Sequence, residues 1–145
     1  MEELDSLLRA VRKSWDVEGD ASQLPSQVLA YIGDAFYNLY VRLQVLSTGP
    51  STPVEIHRRA TAQVSAPAQA ALLGPLASGL TAEEALVCRR ARNLRSSRQG
   101  RAPGASYSRS TAFEALLGFL LLSGQHARLY QMLDAGGSSA GAAPE

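Results

Sequence analysis

Cysteine is almost absent from the 145-residue chain, which contains only Cys88. A single cysteine cannot form an internal disulfide, and the isolated His57 and His126 do not provide the Cys and His pairs of a zinc site. No uninterrupted apolar run is long enough to span a bilayer. Six acids in the first twenty residues leave no apolar centre for a signal peptide. These absences predict a cytoplasmic protein without a membrane segment or a structural metal.

Lysine is also scarce: 13 of the 14 basic residues are arginine. The planar guanidinium of arginine suits phosphate. The net charge is only +1, yet no acid occurs from Ala85 to Phe113, where half of the basic residues lie. Such a local asymmetry favours a polyanionic partner bound by one surface. On charge alone, a solvated arginine-rich loop in a protein from a high-GC genome is the alternative.

Alternating strand patterns are missing, and the apolar periodicity predicts an all-α fold with six or seven helices in one domain. Residues 1–25 form an N-terminal lead segment with a short amphipathic stretch, residues 26–134 the helical domain, and residues 135–145 a disordered tail with nothing to pack. Thr81 and Glu84 form a capping box. The helices are predicted over about Ser26–Leu46, from Pro53, from Pro67 to Gly74–Gly79, from Thr81, over Ser108–Leu122 and over Gln125–Leu133.

The helix predicted over Ser108–Leu122 has one acid in an apolar stretch. Glu114 is the only charged residue between Arg109 and Arg128, and a helix that is apolar on nearly every side is normally buried. A buried carboxylate must be paired, protonated or bound to a metal. Gly118, one turn later, weakens the helix, which is explained if another backbone approaches closely there. A metal ligand and a structural Glu–Arg ion pair are equal alternatives at this point.

The helix predicted over Ser26–Leu46 repeats this pattern. Asp34 is the only acid between Asp20 and Glu55, and Gly33 precedes it. The side of the helix that carries Asp34 is still amphipathic, so the helix is expected to pack on two sides. The main apolar stripe lies nearly opposite Asp34 and consists of Val28, Leu29, Ile32, Ala35, Phe36, Leu39 and Leu43.

Two lone acids beside interior glycines can meet where their helices cross. Like charges that close need a cation, unless one of them is protonated. Mg²⁺ is the natural candidate, because it binds through one or two carboxylates and completes its shell with water and substrate phosphate. Together with the arginine-rich segment, this pair favours metal-assisted phosphodiester hydrolysis, in which the metal activates water and stabilises charge on the phosphate.

Two segments carry a resemblance to a known family. The segment LAYIGDAFYNLYVR (Leu29–Arg42) resembles the ribonuclease III signature with its first metal-binding Asp, and STAFEALLGFLLLSG (Ser110–Gly124) resembles the helix with its metal-binding Glu. RRATAQVSAPAQA (Arg58–Ala70) and LTAEEALVCRRARN (Leu80–Asn93) are similar to the Mini-III branch, which lacks a double-stranded-RNA-binding domain. The resemblance covers about residues 26–134, and it implies a ribonuclease III-type endonuclease domain.

The resemblance implies that Asp34 and Glu114 are catalytic Mg²⁺ ligands, with Mn²⁺ as a possible substitute. Two further acids of the larger family are replaced here by Ala30 and Thr111, as in other Mini-III proteins, so the number of metals is open. The resemblance also implies a symmetric homodimer that cuts double-stranded RNA. It further implies maturation of the large-subunit (23S) ribosomal RNA precursor, helped by a ribosomal protein bound to that RNA.

The arginine-rich segment then becomes the predicted RNA-binding surface, since duplex RNA is recognised mainly through phosphates and 2′-hydroxyls. Two patches are expected, of which the second is the less certain: Arg92, Asn93, Arg95, Arg98 and Arg101, followed by His57, Arg58 and Arg59. Two alternatives to an endoribonuclease stay open. One is a non-catalytic RNA-binding or ribosome-assembly module with the same fold, and the other is a helical interaction protein whose acids form internal ion pairs.

Overall fold

The structure, a computed structural model, describes residues 6, 9–10, 20–49, 51–94 and 104–140, with side chains as far as residue 136. In these ranges it contains helices and no strand, which confirms the predicted all-α fold. Short 3-10 helices occur at Ala21–Gln23 and Ala77–Gly79. The α-helices of the described residues are α1 (Ser26–Ser47), α2 (Pro53–Val64), α3 (Ala66–Leu76), α4 (Ala82–Asn93), α5 (Ala105–Leu122) and α6 (His126–Ala140).

The helix starts follow from local capping chemistry. The Thr52 side chain accepts a hydrogen bond from the Glu55 backbone N–H, and Thr81 forms the predicted capping box with Glu84. These side chains satisfy N–H groups that have no partner within the helix. Just beyond the C-terminal end of α1, Gly49 has a φ of 124°, a left-handed backbone conformation that favours glycine.

Helix α5 forms the centre of the core, and α1, α3, α4 and α6 pack around it. Nearly every α5 side chain after Thr111 is buried, as its apolar sequence predicts. Because α5 is enclosed in this way, its one carboxylate, that of Glu114, can reach bulk solvent only through a cleft. No helix in the described ranges is both long and apolar enough to cross a membrane.

Two glycines allow α1 and α5 to cross at backbone contact. A Cβ at Gly33 would overlap the backbone carbonyl of Glu114, and a Cβ at Gly118 would overlap that of Leu29. The helices therefore approach more closely than any larger residue allows. This confirms the close approach predicted at Gly118, and it explains why Asp34 and Glu114 come together.

Two helix ends differ from the sequence predictions. Helix α5 begins at Ala105, about one turn before Ser108, so the predicted loop is shorter. Helix α6 continues to Ala140, beyond the predicted end at Leu133 and into the predicted tail. The reason is packing, because Gly136 is buried and its Cβ position lies 3.3 Å from Leu72 on α3. The rest of the predicted tail and most of the predicted N-terminal helix lie outside the described residues.

Candidate active site at the crossing of α1 and α5

A cleft of about 530 Å³ opens where α1 and α5 cross, between α3 and the end of α4. Both predicted metal ligands, Asp34 and Glu114, line it. Its other polar lining side chains come from α1, α3 and α5, and they are Gln27, Tyr31, Gln69, Tyr107, Ser110 and Thr111. The structure thus brings together two acids that are eighty residues apart in sequence.

The two carboxylates differ in exposure and in electrostatics. Asp34 is exposed, and the Asn38 amide one turn later donates to its Oδ1 at 2.9 Å, which orients the carboxylate. Burial raises the pKa of Glu114 to about 7, the negative charge of Asp34 adds to the rise, and the nearby Gln69 side chain partly offsets it. A carboxyl poised near neutrality in a cleft is typical of a functional site rather than a structural one.

A structural ion pair at Glu114 was the main alternative, and the described residues do not support it. Their ion pairs involve other acids: Arg128 with Glu84, and Arg58 with Glu55. The side chains that influence Glu114 are an acid and an amide rather than a cation. A carboxyl near another carboxyl attracts a cation from solution, because the pair is costly when both are charged.

Ala30 and Thr111, the positions where the resemblance implies two further acids in the larger family, both line the cleft. Thr111 Oγ1 donates to the Tyr107 backbone carbonyl at 3.0 Å, so its hydroxyl is already engaged. Within the described residues, no group of three or more His, Cys, Asp or Glu side chains comes together. Among the described residues, the cleft therefore contains two carboxylates, those of Asp34 and Glu114.

Gln69 is a site residue that the sequence analysis missed. It lies on α3, is only 1% exposed, lines the cleft, and neither its Oε1 nor its Nε2 has a hydrogen-bond partner. The available signal was its isolation as the one polar side chain in the run APAQAALLGPL of α3. That is the same kind of signal that identified Glu114.

Asn93, one of the predicted RNA-binding residues on α4, lines a hollow beside the cleft. An open hollow of about 480 Å³ contains Arg90 and Asn93, and it shares Gln27 and Leu94 with the cleft. The Arg90 guanidinium donates to the Ser22 carbonyl at 2.7 Å, which gives this arginine a structural contact. Arg92 is exposed on the same helix.

The central arginines of the predicted surface, Arg95, Arg98 and Arg101, lie outside the described residues. The residues that flank this segment do not: Leu94 precedes it, Tyr107 follows it, and both line the cleft. The described structure resumes at Gly104, one residue before α5 begins.

The second predicted RNA patch does not line the cleft. His57 is exposed on α2, and Arg58 donates to Glu55 at 2.6 Å. Arg59 donates to the Thr48 hydroxyl at 2.9 Å, which links α2 to the end of α1. RNA contact by these three residues stays a prediction.

The outward face of α1 carries most of the apolar stripe that the sequence showed, but Leu29 of that stripe is buried. Leu39 and Leu43 are 57% and 56% exposed, and Val28 and Leu46 are also exposed. The helix buries the other face against α5, through Leu29, Gly33, Tyr37, Val41 and Val45. Helix α1 is therefore apolar on two sides, as expected, with one of them uncovered in the single chain.

Comparison with known proteins agrees with this geometry. The Ribonuclease III domain family matches residues 27–125, a range that includes both acids. A Mini-ribonuclease 3 from Symbiobacterium thermophilum is 44% identical over 113 residues, which cover 77% of this chain and 87% of that protein. A Mini-ribonuclease 3 from Enterococcus faecalis is 40% identical over 118 residues, covering 79% and 89%.

A solved structure shows the same fold. The crystal structure of a Fusobacterium nucleatum protein superposes with a TM-score of 0.67 over 77% of this chain and 90% of that one, at 23% identity. The sequence relatives, the family match and the fold agree with one another. The chain belongs to the ribonuclease III family, in its Mini-ribonuclease 3 branch, and it is an endoribonuclease.

Proposed function

We propose that this endoribonuclease depends on Mg²⁺, cleaves double-stranded RNA and uses Asp34 and Glu114 as its catalytic metal ligands. The observation that carries the proposal is the convergence of these two acids in one cleft without a neighbouring cation among the groups that influence Glu114. The fold holds them there through a glycine-mediated helix crossing that tolerates no side chain.

The donor set of the cleft fits magnesium. Its carboxylates, amide and hydroxyls present oxygen ligands, and Mg²⁺ typically uses one or two carboxylates while keeping several waters. The buried Gln69 amide lacks any partner, so the cleft also contains a polar group that an added ligand would satisfy. Mn²⁺ accepts similar ligands and is expected to substitute.

Each residue has a distinct part in this scheme. Asp34 and Glu114 would hold the metal, which supplies charge stabilisation at the attacked phosphate and lowers the pKa of the attacking water. Asn38 orients Asp34 through its 2.9 Å hydrogen bond, and the Glu114 backbone is fixed against Gly33. A substrate phosphate would complete the site. Because water is the attacking group, the chain needs no nucleophile of its own.

RNA binding is assigned to the surface around the cleft. Asn93 lines the adjoining hollow and the neighbouring Arg92 is exposed, while Arg95, Arg98 and Arg101 come after Leu94, which lines the cleft. Cations placed there would contact the phosphates on either side of the cleaved bond. His57, Arg58 and Arg59 remain the weaker second patch.

A homodimer through α1 would cover the exposed stripe. An isologous contact needs one self-complementary patch, and a long helix with apolar residues along its outer face provides it. Such a dimer presents two active sites to one duplex, so that both strands are cut. Sedimentation should show a particle of twice the 15.4 kDa chain mass.

The natural substrate that the family resemblance favours is the precursor of 23S ribosomal RNA, with a ribosomal protein on that RNA as an accessory partner. A cytoplasmic location suits this substrate and a single buried cysteine. A non-catalytic RNA-binding or ribosome-assembly role is the second candidate, which the absence of acids at Ala30 and Thr111 favours.

A cleavage assay on a ribosomal-precursor duplex tests the proposal. With Mg²⁺ or Mn²⁺ the wild type should cut both strands, and with chelator it should not. Asp34→Asn and Glu114→Gln should each lose at least about a hundredfold in rate, more than the loss of a residue that only supports a metal ligand. Glu84→Gln is the matched control, since this glutamate is buried but lies outside the cleft.

Cleavage that survives either site substitution, or that needs no divalent ion, would contradict the assignment. Duplex binding without cleavage by the wild type, under every metal condition, would favour the non-catalytic role instead.

A further inference from the structure

Gln69 is the one buried glutamine among those that the structure describes. The others are exposed, and several have defined partners, such as Gln44, which donates to the Tyr40 hydroxyl at 2.6 Å. Gln69 is 1% exposed, yet both of its side-chain polar atoms lack a hydrogen bond. A buried amide without partners lowers stability, and in native proteins such a group points to a bound water, an ion or a functional role.

The position of this amide identifies what it serves. Gln69 lines the same cleft as Asp34 and Glu114, although it comes from a third helix, α3. Its helix packs on α5, which carries Glu114, so the amide and that carboxyl border the same space. Helix α3 packs on α5 and begins at the Ser65 cap, one turn before Gln69, so the backbone that carries the amide is held in place.

We propose that Gln69 is the positioning residue of the active site: its Nε2 donates to the ionised Glu114 carboxylate, and its Oε1 accepts from a water in the cleft. The inference rests on the proposed metal role of Asp34 and Glu114. In this arrangement the amide holds Glu114 in the rotamer that faces Asp34, and it stabilises the charged carboxylate that a cation requires. A neutral amide achieves this without adding a third negative charge to the pair.

A purely structural role fits the observations less well. A glutamine that served only to fill space would destabilise the fold, because two polar atoms would be buried without hydrogen bonds. Leucine or methionine would fill a similar volume without this desolvation cost. The alanine and leucine neighbours of Gln69 on α3 show that the helix accommodates apolar residues there.

Gln69→Met tests the proposal, because methionine keeps the length of the side chain and removes both hydrogen-bonding groups. Gln63→Met is the matched control on α2, where the glutamine is exposed and outside the cleft. Mn²⁺ affinity is measured without RNA by electron paramagnetic resonance, thermal unfolding is measured in chelator, and cleavage rate is measured against Mg²⁺ concentration. The wild type and both variants are compared in each case.

Mn²⁺ binding by Gln69→Met should be weaker by about tenfold or more, as for other residues that support metal ligands. Its metal-free melting temperature should equal or exceed that of the wild type, and saturating Mg²⁺ should restore most of the cleavage rate. Gln63→Met should match the wild type throughout. If Gln69→Met binds Mn²⁺ as tightly as the wild type, this inference alone is overturned. If the wild type binds no Mn²⁺, the proposed metal function fails, and this inference fails with it.

Discussion

Glu84 on α4 and Glu114 on α5 lie on adjacent helices, and both carboxylates are withdrawn from bulk solvent, but their surroundings are opposite. Glu84 accepts hydrogen bonds from Arg128 Nε at 2.9 Å and from the Thr81 backbone N–H at 2.9 Å. These bonds, that of Arg128 first, lower the pKa of Glu84. Glu114 faces Asp34 instead, and burial raises its pKa to about 7.

The contrast separates a structural acid from a functional one. The same fold that brings Arg128 across to Glu84 over a separation of 44 residues provides Glu114 with a second acid and a neutral amide. A paired carboxylate contributes to folding at neutral pH, whereas an unpaired acid next to another acid costs stability until a ligand arrives. That difference in stability makes the comparison testable.

The largest expected effect comes from separating the two acids. In Gly118→Ala, the new Cβ would overlap the Leu29 backbone carbonyl, which cannot move aside as a flexible side chain would. Helices α1 and α5 must then part, and we expect a loss of roughly 3 kcal/mol in the free energy of unfolding. Cleavage should fall with it. Urea denaturation and the duplex cleavage assay measure the two effects.

Gly74→Ala on α3 is the matched control, because nothing lies within 4 Å of a Cβ placed there. Alanine is the better helix former, so this variant should be as stable as the wild type or gain up to about 1 kcal/mol. Equal stability of the Gly118 and Gly74 variants would contradict the close crossing of α1 and α5.

A smaller effect is expected when the paired glutamate is neutralised. Glu84→Gln keeps a side chain that can complete the capping box, but it removes the charge that faces Arg128. Hydrogen bonds to charged groups contribute more than neutral ones, so the variant should lose about 2 kcal/mol of unfolding free energy. Mg²⁺-dependent cleavage at saturating substrate should be unchanged in the folded protein.

Glu55→Gln provides the exposed counterpart, since Glu55 pairs with Arg58 on the surface of α2, where the two side chains are 41% and 70% exposed. Solvent-exposed pairs contribute little, and stability should hardly change. If Glu84→Gln were as stable as Glu55→Gln, the Glu84–Arg128 pair would not stabilise the fold, and Glu84 would no longer differ from Glu114 as a structural acid.

The sequence predicted the acid pair because helical periodicity and burial are local properties. A lone carboxylate in the apolar run of α5, with glycines at Gly33 and Gly118, indicated that Asp34 and Glu114 can meet at a helix crossing, and the resemblance assigned both to one site. The cap at Thr81 was predictable because the cap and its N–H partner lie within three residues.

Features set by distant contacts were not readable. Periodicity showed that α1 has two apolar faces, but only the packing on α5 shows that Leu39 and Leu43 are the uncovered ones. The end of the chain was predicted to be a tail because its sequence has nothing to pack, whereas Gly136 is buried and its Cβ position lies 3.3 Å from Leu72 on α3. Gln69 was overlooked because an amide gains its meaning from its neighbours, and these come from other helices.

The smallest effect concerns Glu114 itself, and its sign distinguishes it from Glu84. The pKa of Glu114 is about 7 in the folded protein against an ordinary value of 4.5. Between these values the folded state binds more protons than the unfolded state, so the metal-free wild type should lose stability as pH rises from about 4.5 to 7. Glu84, with its lowered pKa, has the opposite sign: its contribution is present at neutral pH and is lost as pH falls below the ordinary range.

Glu114→Gln removes the unfavourable ionisation. In chelator at pH 8 this variant should be more stable than the wild type by about 1 kcal/mol, allowing for solvent screening, and the gain should vanish near pH 4.5. Urea titrations between these pH values measure the slope. Mg²⁺ should remove the pH dependence from the wild type and leave the variant unaffected, because only the wild type retains both ligands. A variant less stable than the wild type at pH 8 would mean that Glu114 has a cationic partner, and it would place this glutamate with Glu84 among the structural acids.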